Sequence, residues 1–191
     1  IDRGGEPKDI VPRVTGEAHH VIEDLMIAAN ESVAEYLLKH GLTGVYRVHP
    51  PPPAEKWEQL EGWANSFGFR LQSKDRDNPK ALARFVRHLR QAPQADAGQL
   101  LLLRTLSHAY YNAQVSLHFG LASEGYAHFT SPIRRYPDLL VHRALWNHWQ
   151  GRSVLRGLDA AAKRCSETER RAVAAEREID HLAACLLASR R

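Results

Sequence analysis

Residues 118–143, HFGLASEGYAHFTSPIRRYPDLLVHR, set the reading of the whole chain. Gly120 and Gly125 allow close backbone approach or a positive φ. Tyr126 to Phe129 then alternates aromatic with small or polar residues, which predicts a short strand. Thr130 or Ser131 is a good helix N-cap, and Pro132 suits the first helical position. A helix is therefore expected from Ile133 to about Gln150, with Leu139, Leu140, Ala144, Leu145 and Trp149 inward and Gly151 as its stop. On that reading Arg134 and Arg135 fall in the first turn. Basic residues there oppose the helix dipole, which prefers negative charge at that end. A cationic first turn with free backbone N–H groups points to a docked anion. The planar fork of arginine suits phosphate. The competing reading is a solvated helix start whose arginines pair with Asp138 or another carboxylate.

Working outward, SHAYYNA (107–113) leads into this stretch from a helical segment in which Leu100, Leu101, Leu102, Thr105 and Leu106 read as a buried run. Tyr110 and Tyr111 either pack in the core or stack on nucleobases, worth about 1–3 kcal/mol each in the second case. Downstream, Leu158 to Ala188 has many Ala, Glu and Arg and few breakers, so one long final helix is expected. Ser166 and Glu169 have capping-box spacing, although they fall within that helix.

Towards the N-terminus, Asn78-Pro79 opens a helix carrying Leu82, Phe85, Val86 and Leu89, with a basic opposite face. That face is either solvated or flanks a polyanion. Ala54 to Ser66 is a further helix with Trp57, Leu60 and Ala64 inward. Phe67 to Leu71 reads as a strand. Thr43 to His49 also reads as a strand, ended by prolines 50 to 53. Val21, Ile22, Leu25, Met26, Ala29, Val33, Leu37 and Leu38 mark one helical face from about Thr15 to His40. On it His20 and Asp24 are four residues apart, enough for a hydrogen bond or two ligands of a metal. With no third segment converging, a surface pair is the simpler expectation. Residues 1–14, with Pro7 and Pro12, are expected to be extended.

HFGLASEGYAHF followed by TSPIRRYPDLLVHR resembles the C-terminal part of the catalytic domain of the ribonuclease II/ribonuclease R family, nearest its ribonuclease R branch. VIEDLMIAANESVAEYL followed by GVYRVHPPP resembles a second hallmark, and SETERRAVAAEREIDHL the family's long final helix. The resemblance spans nearly the whole chain. It implies an α/β (α+β) fold whose half seen here is mostly helical with a few antiparallel strands. Residues 15–157 would form the RNA-channel and phosphate-binding part, and 158–188 the final helix. It also implies a processive 3′-to-5′ exoribonuclease that releases nucleoside 5′-monophosphates. Arg134 matches the arginine that holds the scissile or 3′-terminal phosphate. Ser131, Arg135 and Tyr136 are its expected neighbours, and His118 and His128 are candidate donors to phosphate or ribose. Glu23 matches an acidic residue at the RNA sugar, where contact with a 2′-hydroxyl would distinguish RNA from DNA. Glu176 with Arg177 matches a pair in the last helix, and Asp24 stands where the family usually has a second Glu.

The family uses a divalent metal, usually magnesium, held by a D-x-D-D type stretch. No such stretch occurs here: only Asp75 and Asp77 lie close together, in the basic loop SKDRDNP. The expectation is therefore the C-terminal half of a catalytic domain, inactive alone, with its magnesium ligands upstream and with neither the metal-binding half nor the OB-fold domains in this chain. Its expected partners are single-stranded RNA and the missing half-domain. A net charge of +4 permits such a polyanion. The alternative is a noncatalytic RNA-binding or scaffolding module of the same fold. A DNA-binding protein is disfavoured because no groove-reading element is recognisable. No apolar run approaches the roughly 20 residues of a membrane span. Cys165 and Cys185 form no CxxC pair, which fits a reduced, cytoplasmic setting.

Overall fold

A computed structural model describes residues 7–11 and 15–189; the expected extended lead-in therefore falls partly outside the described residues. Residues 7–11 have no regular structure. Six α-helices and one two-stranded antiparallel sheet follow among the described residues. They are α1 (Glu17–Lys39), β1 (Tyr46–Val48), α2 (Ala54–Ser66), α3 (Pro79–Leu89), α4 (Ala95–Thr105), β2 (Tyr110–Asn112), α5 (Tyr136–Trp149) and α6 (Leu158–Ala188). The fold is mostly helical, as the sequence predicts.

Three apolar clusters hold it together. Trp57, Leu60 and Ala64 of α2 meet Leu82, Phe85 and Leu89 of α3 and Leu102 of α4, with Leu71 and Phe119 filling the centre. Ala34 and Leu37 of α1 meet Val141, Ala144 and Leu145 of α5 across Tyr46 and Ala127. Val45, Tyr111 and Leu140 pack on Leu158, Ala162 and Cys165 at the start of α6. Gly98 lets α4 approach closely, since a Cβ there would lie 2.5 Å from both Leu89 Cδ1 and the Trp63 ring. Asn78 caps α3: its side-chain oxygen accepts from the backbone N–H groups of Lys80 (3.1 Å) and Ala81 (3.3 Å). Asn78→Ala leaves those donors unpaired and is expected to cost about 1 kcal/mol. A thermal melt lowered by roughly 2–4 °C would show it; an unchanged melt would contradict the cap.

The sheet sets the register of everything near the central stretch. Arg47 stands opposite Tyr111, and Val48 opposite Tyr110. The first turns of α6 pack on β2, and the hydroxyl of Ser166 accepts from the Tyr111 backbone N–H at 2.8 Å. The Ser166–Glu169 pair is thus mid-helix, and Ser166 joins helix to strand rather than capping.

Several expectations are corrected. Phe67 to Leu71 is not a strand. Tyr126 to Phe129 is extended but has no strand ladder; the Tyr126 carbonyl accepts from the Arg47 N–H at 2.7 Å. Leu100 and Trp149 are exposed rather than inward, as are Val21, Ile22, Leu25 and Leu38 on α1. The apolar period of α1 is real, but only its C-terminal half is covered. Helix α5 begins at Tyr136, not Ile133. A helix running from Ile133 would need a Pro137 N–H to bond the Ile133 carbonyl, and proline has none. Pro137 therefore takes the first turn that Pro132 was expected to fill.

Candidate functional site

The segment before α5 folds into a turn. The Ser131 carbonyl accepts from the N–H groups of Arg134 (3.3 Å) and Arg135 (3.0 Å). Asp138, in the first turn of α5, is wholly buried. Its Oδ1 accepts from the Ser131 N–H at 2.8 Å and from Arg135 Nη2 at 2.7 Å. A carboxylate at this end of the helix agrees with the dipole. The first turn is therefore acidic, and the arginines precede it. The two expected readings divide between the arginines. Arg135 is half-buried and committed to Asp138. Arg134 is exposed, and its guanidinium makes no hydrogen bond or ion pair among the described residues.

Three buried polar atoms at this turn lack a partner among the described residues: Thr130 Oγ1, Arg135 Nε and Asp138 Oδ2. Tyr136 stands beside them, half-exposed. The exposed Arg134 fork on a turn anchored by Asp138 suits an anion such as a phosphodiester.

Behind the turn runs a row of rings. His49 and His118 have centroids 5.3 Å apart, His118 and Tyr126 5.1 Å, Tyr126 and His128 5.6 Å, and His128 and Tyr111 5.6 Å. Arg47 lies 4.6 Å over the Tyr111 ring and pairs with Glu169 of α6. Asn30 of α1 is buried and ties the row to that helix. Its Nδ2 donates to Tyr126 Oη at 2.8 Å, and its Oδ1 accepts from the Phe129 N–H at 2.8 Å.

The tautomers follow from the partners. His49 Nδ1 accepts from the Gly120 N–H at 3.0 Å, so its proton is on Nε2, which donates to the Ser107 carbonyl at 2.8 Å. A Cβ on residue 120 would sit 2.7 Å from that Nδ1, so this approach requires glycine. Burial pushes the Tyr111 phenol up to about 12. The phenol therefore keeps its proton and shares a hydrogen bond of 2.9 Å with His128 Nδ1. Burial first, then nearby imidazole and arginine charge, holds His118 down to about 4. Burial and the Arg135 and Arg47 guanidiniums hold His128 down to about 3. Both are thus neutral near pH 7. They can offer an N–H to ribose or phosphate but bring no positive charge.

These depressed values have a sign. In the unfolded chain both imidazoles return to about 6.5. Between that value and the folded ones the unfolded chain binds more protons. Their contribution to stability is complete above about pH 6.5 and is lost as pH falls towards 4. The urea midpoint is expected to drop between pH 7 and pH 5, and to drop less in His118→Gln and His128→Gln. The same pH dependence in parent and variants would contradict their burial as neutral rings.

The other expected residues lie elsewhere. Glu23 is exposed on α1, 3.8 Å from His20 and not in the expected His20–Asp24 pair. Glu176 is exposed on α6. Neither has a hydrogen bond or ion pair to the turn among the described residues. Sequence reasoning missed the parts played by Asn30, Tyr126 and Arg47. The one available signal was the two-residue spacing of Tyr126 and His128, which puts both on one side of an extended segment. Among the described residues no group of three or more His, Cys, Asp or Glu converges into a metal cage. No helix among the described residues is long and apolar enough to cross a membrane.

The pattern of the family described as RNB domain matches residues 1–151. Ribonuclease R of Aquifex aeolicus is 40% identical over 190 residues, covering 96% of this chain and 27% of that protein. The structure of Mycoplasma genitalium RNase R in complex with ribose-methylated single-stranded RNA is similar with a TM-score of 0.92 at 31% identity, over 100% of this chain and 31% of that one. Yeast Ssd1, described as a pseudonuclease, is similar over 76% of this chain and 19% of its own, with a TM-score of 0.67 at 25% identity. The chain spans about a quarter of the length of the curated relatives it matches.

Proposed function

Because this chain belongs to the RNB-domain family, we propose that it is the RNA-channel and phosphate-binding part of a processive 3′-to-5′ exoribonuclease. The substrate is single-stranded RNA and the product nucleoside 5′-monophosphate. The observation that carries this reading is the exposed, unpaired Arg134 on a turn anchored by a buried carboxylate. Arg134 donates to the scissile or 3′-terminal phosphate, a charge-assisted contact worth roughly 1.5–3 kcal/mol. Arg135 holds Asp138 and so shapes the turn. Ser131 and Tyr136 flank the phosphate, and His128 and His118 offer neutral N–H donors beside it. Glu23 and Glu176 contact RNA further along the strand, Glu23 at the ribose. Magnesium is held by aspartates outside this chain, so the chain alone binds RNA without cutting it. DNA, which lacks the 2′-hydroxyl, is the poorer ligand. Two unpaired cysteines suit a cytoplasmic setting.

Fluorescence anisotropy with single-stranded RNA and DNA of one sequence tests this directly. The chain is expected to bind RNA more tightly, with affinity falling as salt rises. Equal affinity for DNA, or no binding, would contradict it. A second reading, a noncatalytic RNA-binding module, is favoured by the likeness to a pseudonuclease.

A further inference from the structure

We infer that a basic hollow where α6 passes β1 and the start of β2, lined by Arg47, His108, Arg170 and Arg177, is a second phosphodiester site for single-stranded RNA, apart from the turn at Arg134. The inference rests on the RNA-binding reading above. The hollow has a volume of about 340 Å³, and its apolar lining is Ala109, Val173 and Ala174. Arg170, Val173, Ala174 and Arg177 fall at i, i+3, i+4 and i+7, so α6 turns one face to it. His108 joins from the segment that leads into β2.

The charges of the hollow do not balance. Glu169, the one carboxylate lining it, pairs with Arg47. Glu167, three residues before Arg170, pairs instead with Arg164 at 3.7 Å. A helix places the partner of an arginine most favourably four residues away. Around Arg170 those positions hold Ser166 and Ala174, and around Arg177 they hold Val173 and His181. Asp180, three residues after Arg177, makes no ion pair among the described residues. Arg170, Arg177 and His108 are exposed, and among the described residues none of them has a hydrogen bond or ion pair. Two guanidinium forks about 10 Å apart along the helix axis can close on one phosphate, since arginine meets phosphate oxygens in pairs. Val173 and Ala174, between them, offer apolar surface to the ribose. Arg47 also lies over the Tyr111 ring, and the Tyr111 hydroxyl meets His128. The hollow therefore adjoins the ring row, and a strand whose phosphate sits at Arg134 has a basic surface on which to continue.

Anisotropy of a labelled single-stranded RNA titrated with the chain, repeated over a range of salt, tests this. Arg170→Ala/Arg177→Ala is expected to weaken binding about tenfold and to flatten the slope of log affinity against log salt by about 0.7–1.4, the share of one or two phosphates. Both residues are exposed and unpaired, so the melt should not change. Arg152→Ala/Arg156→Ala removes the same charge ahead of α6 and should leave affinity and slope nearly unchanged. Parent binding with no loss in Arg170→Ala/Arg177→Ala, or with equal loss in both double variants, overturns this site and leaves the RNA-binding reading standing. No binding by the parent overturns both.

Discussion

Arg134→Ala, made in a protein that carries the complete catalytic domain, is expected to lower kcat for RNA hydrolysis by about 10²–10³-fold, the usual effect of removing one donor from a developing negative charge. Melting should not change by more than about 0.5 kcal/mol, because the guanidinium is exposed and holds no other side chain. KM should rise less than kcat falls, since the contact strengthens as charge builds on the phosphate oxygens. Arg134→Lys keeps the charge but loses the two-pronged geometry, so it should fall between parent and alanine. Steady-state kinetics on a 5′-labelled RNA separates the cases. A rise in KM at unchanged kcat would mean that Arg134 only holds the strand.

Asp138→Ala is expected to destabilise the chain by about 3 kcal/mol, as breaking a buried pair does when it strands one charge. The melt should then fall by roughly 6–12 °C. The cause is local. Asp138 is wholly buried, and removing its carboxylate leaves the Ser131 N–H and the Arg135 guanidinium without their acceptor. Asp138→Asn keeps an oxygen for Ser131 but not the charge for Arg135, so its loss should be smaller. RNA affinity should fall with the turn in both variants, although Asp138 touches no RNA in this account. A melt unchanged in Asp138→Ala would contradict the anchoring of the turn.

The contrast between these two residues shows what the sequence could and could not convey. Helices α2 and α6 were legible to the residue because their limits are punctuated: Pro53 precedes α2, Gly157 precedes α6, and few breakers interrupt either. The start of α5 was misread because TSPIRRYP offers two prolines, and only the hydrogen-bond requirement at the second decides between them. That shift separates two arginines that local chemistry alone treats alike into one anchored and one exposed. Periodicity along α1 is silent on which part of its apolar surface is covered: Val21, Ile22 and Leu25 are exposed, whereas Ala34 and Leu37 are buried. The ring row draws residues from the end of β1, from β2 and from the 118–129 segment, and Asn30 of α1 holds it. The pairing of Arg47 with Tyr111 across the sheet, the Asn30 bonds to Tyr126 and Phe129 and the Gly120 bond to His49 bring those segments together, and no local pattern encodes them.

The most direct test is a time course on 5′-labelled single-stranded RNA with magnesium, comparing this chain alone with a version joined upstream to the N-terminal half of an RNB catalytic domain. The account predicts stepwise shortening from the 3′ end by the joined protein, loss of that shortening in its Arg134→Ala variant, and binding without cleavage by the chain alone. Cleavage by this chain alone would contradict it, and a folded joined protein that binds RNA without shortening it would favour the noncatalytic module.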